Sequence, residues 1–259
     1  MNSESNAGHT ASINGMEMYY EVRGEGQPLV LLHGFTGAGS DWQYIFDPDE
    51  LAKSYMLIIP DLRGHGGSTN PSNEFTHRQS AFDVFALLDH LKIDKFKAIG
   101  LSGGGNTFLH MATQQPSRVE AMVIISATTH FPDQARAIMK MFSFENLAAE
   151  ELAQMRARHK HGDEQIRALY RHGTAFKDSY DDLNFTAADL GKITADTLIV
   201  YGDRDPLYPL SIATDMYASI PRAYLMVLPN AGHSPIFAEA KDYFVASAKS
   251  FLRRDWKTS

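Results

Sequence analysis

The sequence predicts an α/β protein built on a doubly wound, mostly parallel sheet, and three observations carry that expectation. Short apolar runs recur at 29–32, 56–59, 96–101, 119–125, 197–201 and 224–228. Unbroken hydrophobicity of that length suits strands covered on both faces. Segments of helical spacing or composition separate most of these runs, as parallel strands joined by crossover helices require. Glycine-rich turns close several of the runs, most densely at Gly100-Leu101-Ser102-Gly103-Gly104.

In chain order, residues 1–9 read as a loose polar tail. Asn14-Gly15 between 12–13 and 16–22 is a two-residue hairpin signal. The strand at 29–32 leads into His33-Gly34-Phe35-Thr36-Gly37, and 41–53 reads as one helix. After the strand at 56–59 comes a loop dense in glycine, Asp61 to Ser68. Residues 76–91 place Phe82, Phe85, Leu88 and Leu91 at helical spacing. The strand at 96–101 meets a helix-compatible segment, 106–114, across the Ser102 turn. After Ser126 the rhythm breaks. From Phe131 to Leu190 Met, Ala, Glu, Arg and Gln dominate without a strand-like run, which predicts three or four helices divided at Gly162 and Gly173. Strands at 197–201 and 224–228 and helices at 209–219 and 236–252 complete the reading. The expected organisation is a core of residues 1–130 and 191–259 with a helical cap of residues 131–190.

With 259 residues, 44% of them hydrophobic and 21% charged, the chain has the composition of a globular protein with a large core. A net charge of −7 argues against nucleic acid or an anionic membrane as the main partner. The absence of cysteine excludes disulfides, thiolate metal sites and a cysteine nucleophile. No secretory signal or run of about 20 apolar residues is visible. The expectation is a cytoplasmic protein acting on a small molecule.

Gly-x-Ser-x-Gly between a strand and a helix carries a mechanism, because a turn that sharp exposes the serine hydroxyl at the strand end. Alone, it is equally a glycine-rich turn capping a helix. A serine nucleophile needs a base, and the base an orienting group. In an open α/β sheet both should lie beyond the carboxyl ends of strands. The strand at 197–201 is followed by Gly202-Asp203-Arg204-Asp205, and that at 224–228 by Pro229-Asn230-Ala231-Gly232-His233. Ser102, an aspartate at 203 or 205, and His233 thus follow in the order Ser…Asp…His. Spacing does not choose between the two aspartates. An oxyanion hole needs two backbone donors, for which Gly103 and Phe35 are the candidates. His33 reads as a structural hydrogen-bonder, and Asp61 and Arg63 as pins for the glycine-rich loop. His159, His161 and His172 lack zinc-site spacing. Phe35, Phe131, Met139, Phe142 and Phe144, with Leu147 and Phe176 nearby, are the candidate substrate-binding surface.

With His33-Gly34-Phe35 after one strand and Asp61-Leu62-Arg63-Gly64-His65-Gly66-Gly67-Ser68 after the next, the chain resembles the α/β-hydrolase superfamily, in particular its small cofactor-free esterases and lactonases. The resemblance covers about residues 13–127 and 195–252. It implies Asp205 as the acid of Gly-x-x-Asp, a lid inserted after the sixth strand, and no metal or organic cofactor. Ser102, where related epoxide hydrolases and haloalkane dehalogenases carry aspartate, sets this chain apart. Gly103, where many relatives carry a larger residue, is a departure that widens the pocket floor. The function so implied is hydrolysis of a small carboxylic ester or lactone through an acyl-enzyme. Carbon–carbon bond hydrolysis, perhydrolysis and a ligand receptor that retains the triad are the alternatives.

Overall fold

Asn14 and Gly15 take the left-handed backbone, φ 44° and 77°, that a two-residue hairpin demands. They join β1 (His9–Ile13) to β2 (Met16–Arg23), with Ile13 opposite Met16. The computed structural model describes residues 8–256. His9 is therefore already a strand residue, while the rest of the expected tail, up to residue 7, lies outside the described residues. The remaining strands are β3 (Pro28–Leu32), β4 (Met56–Pro60), β5 (Phe96–Leu101), β6 (Val119–Ile125), β7 (Asp196–Gly202) and β8 (Ala223–Leu228). They form one eight-stranded sheet in the order β1-β2-β4-β3-β5-β6-β7-β8. Pairing is antiparallel at β1–β2 and β2–β4 and parallel from β4 to β8.

The nine α-helices among the described residues are α1 (Pro48–Ala52), α2 (His77–His90), α3 (Gly103–Gln114), α4 (Asp133–Met139), α5 (Ala149–Arg158), α6 (Asp163–Ala175), α7 (Ala187–Leu190), α8 (Leu210–Ser219) and α9 (Lys241–Arg253). Two apolar layers sandwich the sheet. Val84, Phe85, Leu88, Phe108, Leu109, Ala213 and Met216 of α2, α3 and α8 pack on one face. Leu51 of α1 and Phe244, Ala248 and Leu252 of α9 cover the other. Four helices, α4 to α7, lie between β6 and β7 where the strand rhythm breaks. Among the described residues no helix is long and apolar enough to cross a membrane.

Four local expectations are corrected. Residues 41–53 are not one helix but a 3-10 turn, Gly39–Tyr44, and the short α1. Pro48 has no N–H to continue the first, and Asp47 restarts the second by accepting from the Asp49 and Glu50 N–H groups. Gly173 does not divide the cap; it lies inside α6, where a Cβ would come within 2.6 Å of the Phe142 ring and 3.0 Å of Phe35. The last helix begins at Lys241 rather than 236. Phe82, at helical spacing with the core residues of α2, is 45% exposed, because the inward face is carried by Ala81, Val84 and Leu88.

Strand order reverses at β3, from which the chain goes to β4 on one side and β5 on the other. Loops leaving the carboxyl ends of β3 and β5 diverge there and open a crevice, the usual ligand position in such sheets. The hairpin edge is tied to this half by a buried ion pair. Arg63 donates to both carboxylate oxygens of Asp83 at 2.8 and 2.9 Å, and both residues also bond Asn14 of the hairpin turn. Removing one partner strands a buried charge. Arg63→Met should therefore lower unfolding free energy by about 3–5 kcal/mol, and Arg63→Met with Asp83→Leu should recover much of it. Urea denaturation of the three proteins checks this; a double variant no more stable than the single would refute it.

Candidate active site

Ser102 joins β5 to α3 in one step. Its φ of 48° and ψ of −111° lie outside the ordinary regions, a strained conformation costing about 1–3 kcal/mol. Two hydrogen bonds hold it: the Ser102 N–H donates to Ile125 O at 2.7 Å, and the Asn106 N–H donates to Ser102 O at 2.8 Å. The flanking glycines allow the close approach. A Cβ on Gly104 would lie 2.2 Å from Leu32 O, and one on Gly100 would lie 2.7 Å from the Gly104 backbone.

The two loops beyond β7 and β8 are joined to each other. Arg204 N–H donates to Ala231 O at 2.9 Å, and Ala231 N–H reaches Asp203 Oδ1 at 3.3 Å. Gly202 permits this closeness, since a Cβ there would stand 2.2 Å from Ala231 O. His233 is thereby carried to Ser102, with 2.8 Å between Nε2 and Oγ. Its Nδ1 lies 2.8 Å from Asp205 Oδ2, while Asp205 Oδ1 accepts from the Leu207 and Tyr208 N–H groups. Asp203 is thus a staple between loops, and Asp205 is the aspartate that meets the imidazole. A buried carboxylate on Nδ1 holds the hydrogen there and leaves the Nε2 lone pair for the serine hydroxyl. Tyr208 packs edge-on against His233 with ring centroids 5.1 Å apart.

Phe35 and Gly103 meet across the crevice between β3 and β5. A Cβ on Gly103 would lie 3.2 Å from the Phe35 nitrogen. Gly103 is also the first residue of α3, where N–H groups have no intrahelical acceptor and the helix dipole is positive. Two such donors beside a serine oxygen suit a developing oxyanion.

The loop carrying Phe35 is held by neutral imidazoles. Leu62 N–H donates to His33 Nε2 at 3.0 Å, and Thr36 N–H donates to His65 Nε2 at 3.2 Å. His159, just after α5, accepts from Gly66 N–H on Nδ1 at 2.9 Å and donates from Nε2 to Thr36 O at 3.1 Å. Burial lowers all three, His65 well below the ordinary range and His159 to about 4. Asp61 binds the Gly39 and Gly67 N–H groups at 2.7 Å each, pinning the glycine-rich loop. Of the other two cap histidines, His161 reaches Gly67 O at 3.0 Å and His172 packs beside Phe75, so the three do not converge.

A cavity of about 370 Å³ opens over Ser102. Phe35, Phe131, Met139 and Phe142 line it, as does Phe176. Phe144 does not. It packs with the separate apolar cluster of Met155, Ile166 and Leu169, under the Arg167 guanidinium. Its position beside Phe142 in sequence hides a 3-10 turn, Phe144–Asn146, that redirects the chain. Sequence reasoning also missed His77, Trp42, Tyr208 and Phe237, which line the cavity. Only Tyr208 left a signal, three residues beyond Asp205 on a strand-end loop.

A family model for the alpha/beta hydrolase fold matches residues 27–180. The chain is 39% identical to a soluble epoxide hydrolase of Corynebacterium sp. (strain C12) over 117 residues, 45% of this chain and 40% of that protein. A longer likeness, 29% identity over 244 residues and 81% of each chain, is to a 2-hydroxymuconate semialdehyde hydrolase of Pseudomonas sp. (strain CF600). Among solved structures, the enol-lactonase from Burkholderia xenovorans LB400 matches with a TM-score of 0.74 at 23% identity, over 95% of this chain and 100% of that one. That last likeness speaks for the fold.

A histidine whose folded pKa is depressed stabilises fully above its unfolded value and loses that contribution as pH falls toward its folded value. For His159 the window runs from about 6.5 down to about 4 and is worth up to about 3 kcal/mol. Thermal melts across it should show a shallower fall for His159→Gln than for the wild type. Parallel profiles would remove His159 as the cause.

Proposed function

The chain belongs to the alpha/beta hydrolase fold family, and on that premise we propose that it is a serine hydrolase cleaving a small carboxylic ester or lactone through an acyl-enzyme. The observation that carries this reading is the continuous line Ser102 Oγ, His233 Nε2, His233 Nδ1, Asp205 Oδ2, with both gaps 2.8 Å. His233 takes the serine proton as Oγ attacks the carbonyl carbon. The tetrahedral oxyanion forms against the Phe35 and Gly103 N–H groups. Asp205 keeps the imidazole in place and stabilises the imidazolium. Nε2–H then protonates the departing alkoxide, and water activated by the same nitrogen releases the acid. Every step uses groups the chain itself supplies.

An aromatic cavity suits an uncharged or weakly polar acyl group. The cation at its edge, Arg158, is already engaged by Asp41 at 2.8 Å. A second reading, hydrolysis of a carbon–carbon bond in a dienoic ketoacid, is favoured by the likeness to the Pseudomonas hydrolase. It uses the same line of residues, and a substrate panel separates the two. A cytoplasmic setting belongs to the proposal, since a chain without cysteine makes no demand on an oxidising compartment.

On an ester and lactone panel Ser102→Ala should lower kcat by about 10⁴–10⁶ and Asp205→Asn by about 10⁴, with Asp203→Asn much milder. A fluorophosphonate should label Ser102 in the wild type and fail on His233→Ala. Wild-type turnover in Ser102→Ala would end the assignment.

A further inference from the structure

A second imidazole faces the same cavity from outside the Ser102 line. His77 opens α2, and its side chain is 2% exposed. Its Nδ1 donates to Asp182 Oδ2 at 2.7 Å, its backbone N–H reaches the same oxygen at 2.8 Å, and Arg78 N–H donates to Oδ1 at 3.0 Å. His110 Nε2 stands 3.5 Å from Oδ1. Burial works against the Asp182 charge, but the neighbouring His110 ring and the His77 donors overturn it and hold the carboxyl far below the usual range. The positive end of α2 acts in the same direction. An ionised Asp182 keeps a hydrogen on Nδ1 and leaves Nε2 as the nitrogen open to the cavity.

Nε2 has no hydrogen-bond partner among the described residues, and it lies 3.5 Å from where a Cβ on Gly103 would sit. Around it the wall is aromatic: the His77 ring packs on Phe75, Phe131 and Phe176. An unpaired polar atom is therefore set in this aromatic stretch of the cavity wall, close to Ser102. A ligand that covered it without pairing it would bind about 10- to 100-fold more weakly than one that paired it. The leaving oxygen of an ester must face His233, which packs on Tyr208. An acyl substituent on the other side of the carbonyl would meet the surface of the same cavity formed by Gly103, Phe131, Phe176 and His77.

Resting on the hydrolase reading above, we propose that His77 is a specificity-determining residue whose Nε2 hydrogen-bonds a hydroxyl on the acyl group, so that the preferred substrates derive from hydroxy acids. A hydroxyl both donates and accepts, and so satisfies Nε2 whether or not it carries a proton; a keto group serves only the imidazolium. Asp182 orients the ring, and Gly103 leaves the gap through which the acyl chain reaches it.

The test compares 4-nitrophenyl butyrate with the 2- and 3-hydroxybutyrate esters on each protein. The wild type should prefer one hydroxy ester by about 10- to 100-fold in kcat/KM. His77→Leu, which removes the nitrogen, and Gly103→Ala, which fills the gap, should each bring that ratio close to one. Both esters are read on the same variant, so a general loss of active enzyme cancels. A wild type without preference overturns the proposal whatever becomes of the variants, as does a preference that survives in active His77→Leu. Equal turnover of all the esters overturns only the role of His77. Turnover of none overturns the ester reading together with it.

Discussion

Everything at this site depends on the backbone reversal at Ser102. A left-handed φ on a non-glycine residue is unfavourable, and here it is stabilised by surroundings that leave the chain no alternative. Glycines at 100 and 104 let α3 press against β5 and β3. Hydrogen bonds from the Ser102 and Asn106 N–H groups close the turn on both sides. The same compression brings the Gly103 amide to the start of a helix and beside Phe35. One strained residue thus positions a hydroxyl, a donor pair and the floor of a cavity together.

The helices between β6 and β7 are attached to this apparatus by polar contacts as well as apolar ones. His159 bonds to both the loop after β3 and the loop after β4, and Gln165 of α6 donates to Gly64 O and Gly66 O. Phe142 and Phe35 close on Gly173 from two sides. Because Phe35 also carries an amide of the donor pair, packing of the helical segment bears directly on that loop. Imidazoles in such positions work only while neutral, since each must accept on one nitrogen and donate from the other.

Much of this was legible in the chain. The apolar runs are the strands, because residues buried on both faces of a parallel sheet have no reason to alternate. Asn14-Gly15 marked its hairpin for a purely local reason, backbone freedom. Ser102, His233 and the pair Asp203 and Asp205 were readable since each follows a strand, and the sheet brings strand ends together; the resemblance narrowed the pair to Asp205. Errors arose where a local rule met a tertiary contact. Gly173 looks like a helix break and is a close approach of two aromatic rings. Phe144 lies two residues from Phe142 yet belongs to another cluster. Ile236 and Phe237, read as the start of the last helix, line the cavity instead, and α9 begins only at Lys241.

Taken alone, then, the order of residues along the chain determined the architecture and singled out Ser102, His233 and a pair of candidate acids, because periodicity and turn chemistry act over a few residues. Spacing left Asp205 and Asp203 equivalent and the resemblance pointed to Asp205; the tertiary structure carries that one to His233 Nδ1 and the other to Ala231 N. It alone joined His77 to Asp182, more than a hundred positions away, in the wall of the same cavity. Such pairings depend on which loops the sheet brings within a hydrogen bond of each other, and no spacing between neighbouring residues encodes that distance.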